Sequence, residues 1–318
     1  MRRTIARSLF LGCALLLTLP RAAQAYVREV TKSGVPIAWR SPCVTMHVFL
    51  GSPPPVLAAD DLFAASTQAA ATWSYPALAC TDIRLAMAME SQPISDVGND
   101  KKNVIVFRKD TWCRQPTPVD DAGTPQPECF PSSVLAVTSI FKNSKTGEIL
   151  DADIEFNGVD YSWGDLVGRP DLSISTTGDF QNALTHELGH VLGLDHNCYT
   201  KSDGQARLND NTGAPEMDCY NNPALATSVA DATMYPSVVL TDTLRRVLAP
   251  DDQQGICDIY PHAHETCPAL ALASGGGCAV VVPAGQEEFR PRILGLIASV
   301  MIVALALLLG RRRTRHRV

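Results

Sequence analysis

Residues 185–196 read THELGHVLGLDH, three histidines and a glutamate within twelve positions. No other stretch constrains the fold as tightly. His186 and His190 are four residues apart, so on a helix they project side by side from one face. The pattern predicts a helix from about Phe180 to Leu192, capped by Thr177 or Asp179, with Phe180, Leu184, Leu188 and Val191 as its buried stripe. Gly193 is placed to end that helix, because glycine enters the left-handed backbone that a sharp exit requires. The turn then carries His196 back toward the first two histidines. A fold that satisfies this stretch buries one side of the helix and leaves the imidazoles on another.

Chance does not explain the string. At this chain's residue frequencies, H-E-x-x-H-x-x-G-x-x-H arises at random roughly once in 100,000. The spacing has a chemical reason. Zinc takes imidazole nitrogens at about 2.0–2.1 Å, and a catalytic zinc keeps its fourth position for water, whose pKa falls to about 7. Three imidazoles fill three corners of that tetrahedron. Glu187, next to the first of them, is placed to take the water's proton and hand it to a leaving amine. A structural zinc is usually closed by a fourth protein ligand. No CxxC occurs in the chain, which argues against a thiolate site.

The ends read as export signals. Residues 1–25 have the form of a signal peptide: Arg2, Arg3 and Arg7, an apolar run over Ser8–Leu19, and a small-x-small cleavage site at Ala23–Ala25. Cys13 is a poor lipoprotein site, since the apolar run continues through Leu17. Ile293–Gly310 is 18 residues without a charge, followed by RRRTRHRV. At 1.5 Å per residue it reaches roughly 27 Å, enough for a transmembrane helix with residues 311–318 as a basic cytoplasmic tail. A glycolipid-anchor signal would end apolar instead. Residues 263–292 read as a Gly-rich linker, and SGGGCAVVVPAG with Cys278 is similar to the tripartite sorting tails of some bacterial surface proteins.

Setting the ends aside changes the charge balance. Residues 26–286 keep 16 Lys+Arg against 31 Asp+Glu, a net charge of about −15 rather than the −6 of the whole chain. A surface this acidic excludes nucleic acid and adhesion to anionic lipid. The eight cysteines of the exported part (Cys43, Cys80, Cys113, Cys129, Cys198, Cys219, Cys257 and Cys267) suggest disulfides. Sequential pairing, 43–80, 113–129, 198–219 and 257–267, is the simplest of many connectivities.

Residues 26–262 form one region of ordinary domain size, without internal repeats. VTMHVFL at 44–50, DIRLAMAM and NVIVF read as strands, and VLAVTSIF with ILDADIEFN as a hairpin. Asp60 or Asp61 is expected to cap a helix to Trp73, with Leu62, Ala65, Ala69 and Trp73 on one face. TWCRQPTPVDDAGTPQPECFP is too rich in proline and glycine to be regular and reads as a disulfide-closed loop.

With its histidine string and the later ATMYPS, the chain resembles the metzincin zinc endopeptidases. LTHELGHVLGLDH, MYP, LAPDDQQGICDIY and VLAVTSIF…GEILDADIEF are similar to motifs of their matrixin branch, over roughly residues 35–260. The resemblance implies that His186, His190 and His196 hold one catalytic Zn²⁺, that Glu187 is the general base, and that Met234 forms the turn under the metal. It implies that Tyr235 and Pro236 wall the pocket for the side chain after the scissile bond. Leu135 and Ala136 would lie on the strand that pairs with an extended polypeptide substrate. The implied fold is α+β: a twisted mixed sheet with two long helices, a smaller irregular part after Gly193, and the cleft between.

The chain departs from the family in three ways. Between His196 and Met234 lie 37 residues, where the matrixin turn follows closely; CYTKSDGQARLNDNTGAPEMDC within them reads as a disulfide-closed insert. Cys43 lacks the family's latency motif. His47, His262, His264 and His316 do not cluster as the family's second, structural zinc requires, so one zinc is expected. For Ca²⁺, NDNTG at 209–213 and DADIE at 151–155 offer oxygens without the spacing of a calcium loop. They are read as solvated acidic loops, and His262 and His264 as exposed. Two alternatives stay open: a surface binding or adhesion module without turnover, and a metzincin branch with a tyrosine zinc ligand. Glu187 argues against the first, and Tyr235 directly following Met234 fits the matrixin order better than the second.

Overall fold

The computed structural model describes residues 26–267, apart from 52, 91, 95–96, 115–127, 173–174, 201–206, 211, 223–224, 226 and 264–266. The expected signal peptide, transmembrane span, basic tail and Cys278 lie outside the described residues. Among the described residues, no helix is long and apolar enough to cross a membrane.

The fold is α+β. Five strands form the main sheet: β1 (Cys43–Phe49), β2 (Arg84–Glu90), β3 (Val104–Arg108), β4 (Ala136–Lys142) and β5 (Ile149–Asn157). Their spatial order is β2-β1-β3-β5-β4. All neighbours are parallel except β4, which runs antiparallel to β5 and forms the sheet's edge. The expected strands and hairpin are thus present. Alternation explains them: in β1, Val44, Met46 and Val48 are buried, the period of two that puts one face of a strand against a core.

Helices α1 (Ala59–Thr72) and α2 (Phe180–Val191) share their packing with the sheet and with each other. In α1, Leu62, Ala65 and Ala69 face inward, and Trp73, fully buried, donates from its ring nitrogen to the Thr185 carbonyl of α2 at 2.8 Å. Neither expected aspartate caps α1. Ala58 occupies that place without a side-chain bond, and Asp60 and Asp61 lie in the first turn, where they favour the helix through its dipole. Phe180, Leu184, Leu188 and Val191 are all fully buried. At about 1.5–3 kcal/mol per buried side chain, this stripe gives α2 a gross docking energy near 6–12 kcal/mol before entropy.

The acidic stretch DADIE is not a solvated loop. Ala152, Ile154 and Phe156 of β5 join the core, and Asp151, Asp153 and Glu155 on the alternate positions are buried too. They capture the loops around them. Asp153 accepts from the backbone of Gly98 and Val104, Asp151 from Asp100 and Lys101, and Glu155 binds the guanidinium groups of Arg108 and Arg114.

Four disulfides close the chain: Cys43–Cys267, Cys80–Cys257, Cys113–Cys129 and Cys198–Cys219. The last two are as expected; the sequential pairs 43–80 and 257–267 are not formed. The cause is the chain's return. A third long helix, α3 (Pro250–Ile259), lies within the part expected to be irregular, and after it Pro261 bridges Thr81 while His262 donates to the Cys80 carbonyl. That path brings Cys257 to Cys80 and Cys267 to the start of β1. Such a cysteine framework suits an oxidising, extracellular setting.

Candidate metal centre

The centre is built on α2. Asp179 caps the helix, accepting from the Asn182 backbone at 2.8 Å. Arg246 clamps that cap by binding Asp179 and Asp165 together. Of the two cap candidates, Asp179 serves. At the other end, Gly193 has φ +87°, and a Cβ there would lie 2.9 Å from the Ile37 carbonyl. Glycine is required on both counts. The short ladder of Leu194–Asp195 with Val27–Arg28 then fixes the return to His196.

His186, His190 and His196 converge. Their ring centroids lie 4.9 Å (186–190), 4.9 Å (190–196) and 5.4 Å (186–196) apart. One nitrogen from each lies within 4.8 Å of the others, a group able to hold a metal ion and the one such cluster among the described residues. The backbone sets the tautomers. Nδ1 of His186 is 2.6 Å from the Thr233 carbonyl, and Nδ1 of His190 is 2.9 Å from the Leu194 carbonyl. A carbonyl only accepts, so each Nδ1 carries the proton and each Nε2 presents its lone pair, the outer-sphere arrangement usual for metal-binding imidazoles. Burial, then repulsion from His190 and His196, holds His186 well below the usual histidine range. It is therefore neutral and need not lose a proton to ligate. The donor set fits a borderline cation such as Zn²⁺.

Glu187 is buried beside them. Burial pushes its carboxyl up, opposed by His190 and by a hydrogen bond from Thr138. The Thr138 hydroxyl donates to Oε2 at 2.6 Å. Met234 packs behind the site, since a Cβ on Gly189 would meet its sulfur at 2.2 Å. Glycine at 189 is thus what admits Met234 between the two histidine turns. The turn itself is held from below by buried Asp252, which accepts from the backbone of Thr233 at 2.8 Å and Met234 at 3.3 Å. Burial and the neighbouring Asp251 push the Asp252 carboxyl up to about 7.

The three histidines and Glu187 open onto a cavity of about 880 Å³. Leu135 and Ala136, at the start of β4, line it, as do Tyr235 and Pro236. Every site residue named from the sequence therefore lies at the cavity or, for Met234, directly behind it. The 197–233 segment contributes to the same wall. Its Cys198–Cys219 disulfide sits in a small second core with Val229, against which Tyr235 packs, and the Tyr235 hydroxyl donates to the Cys219 carbonyl at 3.0 Å. Thr200 and Tyr220 of this segment line the cavity.

Other residues of the site were not anticipated. Arg245 is buried at the cavity and binds the carbonyls of Ala230, Tyr235 and Ser237. Thr138 gave no sequence signal, since AVTSIFK carries mixed polar and apolar residues on both faces of the strand. Asp210 of NDNTG accepts from the Arg28 backbone at 2.7 Å. His262 is exposed as expected and pairs with Asp82 at 2.6 Å; His264 lies outside the described residues. Comparison with known proteins finds no family model and no curated protein that matches the chain.

Proposed function

We propose that this chain is a zinc-dependent endopeptidase of the metzincin type, closest in plan to the matrixins, acting on polypeptides outside the cell. One observation carries the reading: three imidazoles, two of them with carbonyl-fixed tautomers, and a buried glutamate meet in a cavity bounded by the edge strand of the sheet. His186, His190 and His196 would hold the Zn²⁺, which when bound would supply the Lewis acidity that makes a water nucleophilic near neutral pH. The protein supplies the rest. An extended substrate pairs its main chain with the edge of β4 at Leu135 and Ala136. Tyr235 and Pro236 wall the pocket for the side chain following the scissile bond. Glu187 takes the proton of the attacking water as the new carbon–oxygen bond forms, then delivers it to the amide nitrogen as the carbon–nitrogen bond breaks. The four disulfides agree with action in an oxidising compartment, and the uncharged stretch 293–310 would tether the enzyme to the membrane.

The test is digestion of a peptide library by the purified protein, with and without a zinc chelator, beside Glu187→Ala. The expected result is chelator-sensitive cleavage that falls by about 100- to 10,000-fold in the variant while bound zinc, measured by atomic absorption, is unchanged. Zinc binding by both proteins with cleavage by neither would overturn the enzyme reading in favour of a surface binding module.

A further inference from the structure

We propose that Thr138 is a positioning residue for Glu187, resting on the peptidase reading above. Ladder register puts Thr138 opposite Ile154 and Ala136 opposite Phe156. Ile154 and Phe156 face the core, so Thr138 faces the same side, toward α2, on a stretch where its neighbours Ala136 and Ile140 are apolar. A hydroxyl on that face needs an acceptor, and two are in reach. Glu187 Oε2 lies at 2.6 Å and the Glu187 carbonyl at 3.3 Å. The hydroxyl has one proton. It goes to the nearer and charged oxygen, at the 2.5–2.7 Å typical of a hydroxyl bound to a carboxylate.

The bond divides the labour between the two carboxylate oxygens. Oε2 is committed to Thr138, so Oε1 is the oxygen that takes the water's proton. Without the hydroxyl, a carboxylate on three rotatable bonds loses the one side-chain hydrogen bond that holds it among the described residues. Thr138 also belongs to β4, whose residues 136–138, with Leu135 just before them, line the cavity. The strand that receives the substrate backbone and the group that moves the proton are therefore joined by one hydrogen bond. A substrate seated in register on β4 is seated in register with its base.

The experiment compares the full-length protein with Thr138→Val, which keeps the shape and removes the hydroxyl, and Thr138→Ser, which keeps the hydroxyl. Thr138→Ala is the substitute if the valine does not fit. Peptide hydrolysis is expected to show kcat lowered about 10- to 100-fold in the valine variant, with KM and zinc content unchanged, and to recover to within a few-fold in the serine variant. Crystal structures read the second outcome without turnover: Glu187 is displaced or split between rotamers in the valine variant and restored in the serine. Wild-type kcat with an undisturbed Glu187 in the valine variant would overturn the proposal. Equal impairment of valine and serine variants would also overturn it, by making Thr138 a matter of packing. If the wild-type protein cleaves nothing, the peptidase reading fails while the crystal structures still decide whether Thr138 holds Glu187.

Discussion

The two sides of Gly193 are stabilised by different means. Upstream, the sheet and its two helices are held mainly by alternating or periodic apolar side chains, among them Met46, Leu62, Ile154, Phe156, Phe180 and Leu188, all fully buried. Downstream, α3 is the one long helix among the described residues, and around it side chains bind backbone instead. Asp252 takes the backbone N–H of Thr233, Met234 and Ala249. Arg245 takes three carbonyls, and Asn197 donates to the Val229 carbonyl. An irregular wall becomes as well defined as a sheet when its backbone groups are captured one by one. The candidate metal centre draws on both: a stiff helix for His186, His190 and Glu187, and a pinned loop for the carbonyl that fixes His186.

This contrast breaks if the downstream half proves indifferent to its polar anchors. Asp252→Ala strands three backbone donors at once and is expected to cost about 3–5 kcal/mol. That would rival the roughly 3–5 kcal/mol expected of Phe180→Ala upstream. Urea denaturation measures both, and a loss under about 1 kcal/mol for Asp252→Ala would remove the distinction. The next test asks whether the downstream wall can loosen while the sheet holds. Cys198→Ser with Cys219→Ser opens a loop of 21 residues and is expected to cost about 3 kcal/mol. The sheet, followed by hydrogen exchange, should keep its protection, while exchange in 197–235 rises.

The smallest effect probes the exception upstream, the carboxylates of β5. Burial pushes the Asp153 carboxyl up to about 7, against the backbone bonds from Gly98 and Val104. In the unfolded chain its pKa is near 4. The folded state thus binds this proton more tightly. Its contribution to stability is whole below about pH 4 and is lost as pH rises through about 7. Wild-type protein should lose about 2.5 kcal/mol between pH 5 and pH 8 on this account, and Asp153→Asn should flatten that slope in thermal melts. An unchanged slope would show that Asp153 is not the group responsible.

What the sequence disclosed was local. The histidine spacing, the α2 stripe and the exit at Gly193 each follow from the helical period within a dozen residues, and the structure has all three. The strands were legible because alternation is also local. Three features were not, because each depends on a distant partner. Asp151, Asp153 and Glu155 look like solvent-facing acids until the 98–104 loop and two arginines close over them. Cys43 and Cys80 look like neighbours until α3 returns to separate them. Thr138 is an ordinary strand residue until α2, 49 positions on, sets Glu187 beside it. Residue type gives the chemistry available; only the crossing of elements says which groups meet.

The nested pairs Cys43–Cys267 and Cys80–Cys257 also define a load path. Tension applied to the chain beyond Cys267 reaches a covalent link to the first residue of β1, an interior strand of the sheet, before it reaches α3. The second link, behind it, ties α3 to the loop entering β2. A pull from that end therefore meets covalent bonds rather than peeling helix from sheet, and the fold around the histidines is shielded from strain that enters by its tail.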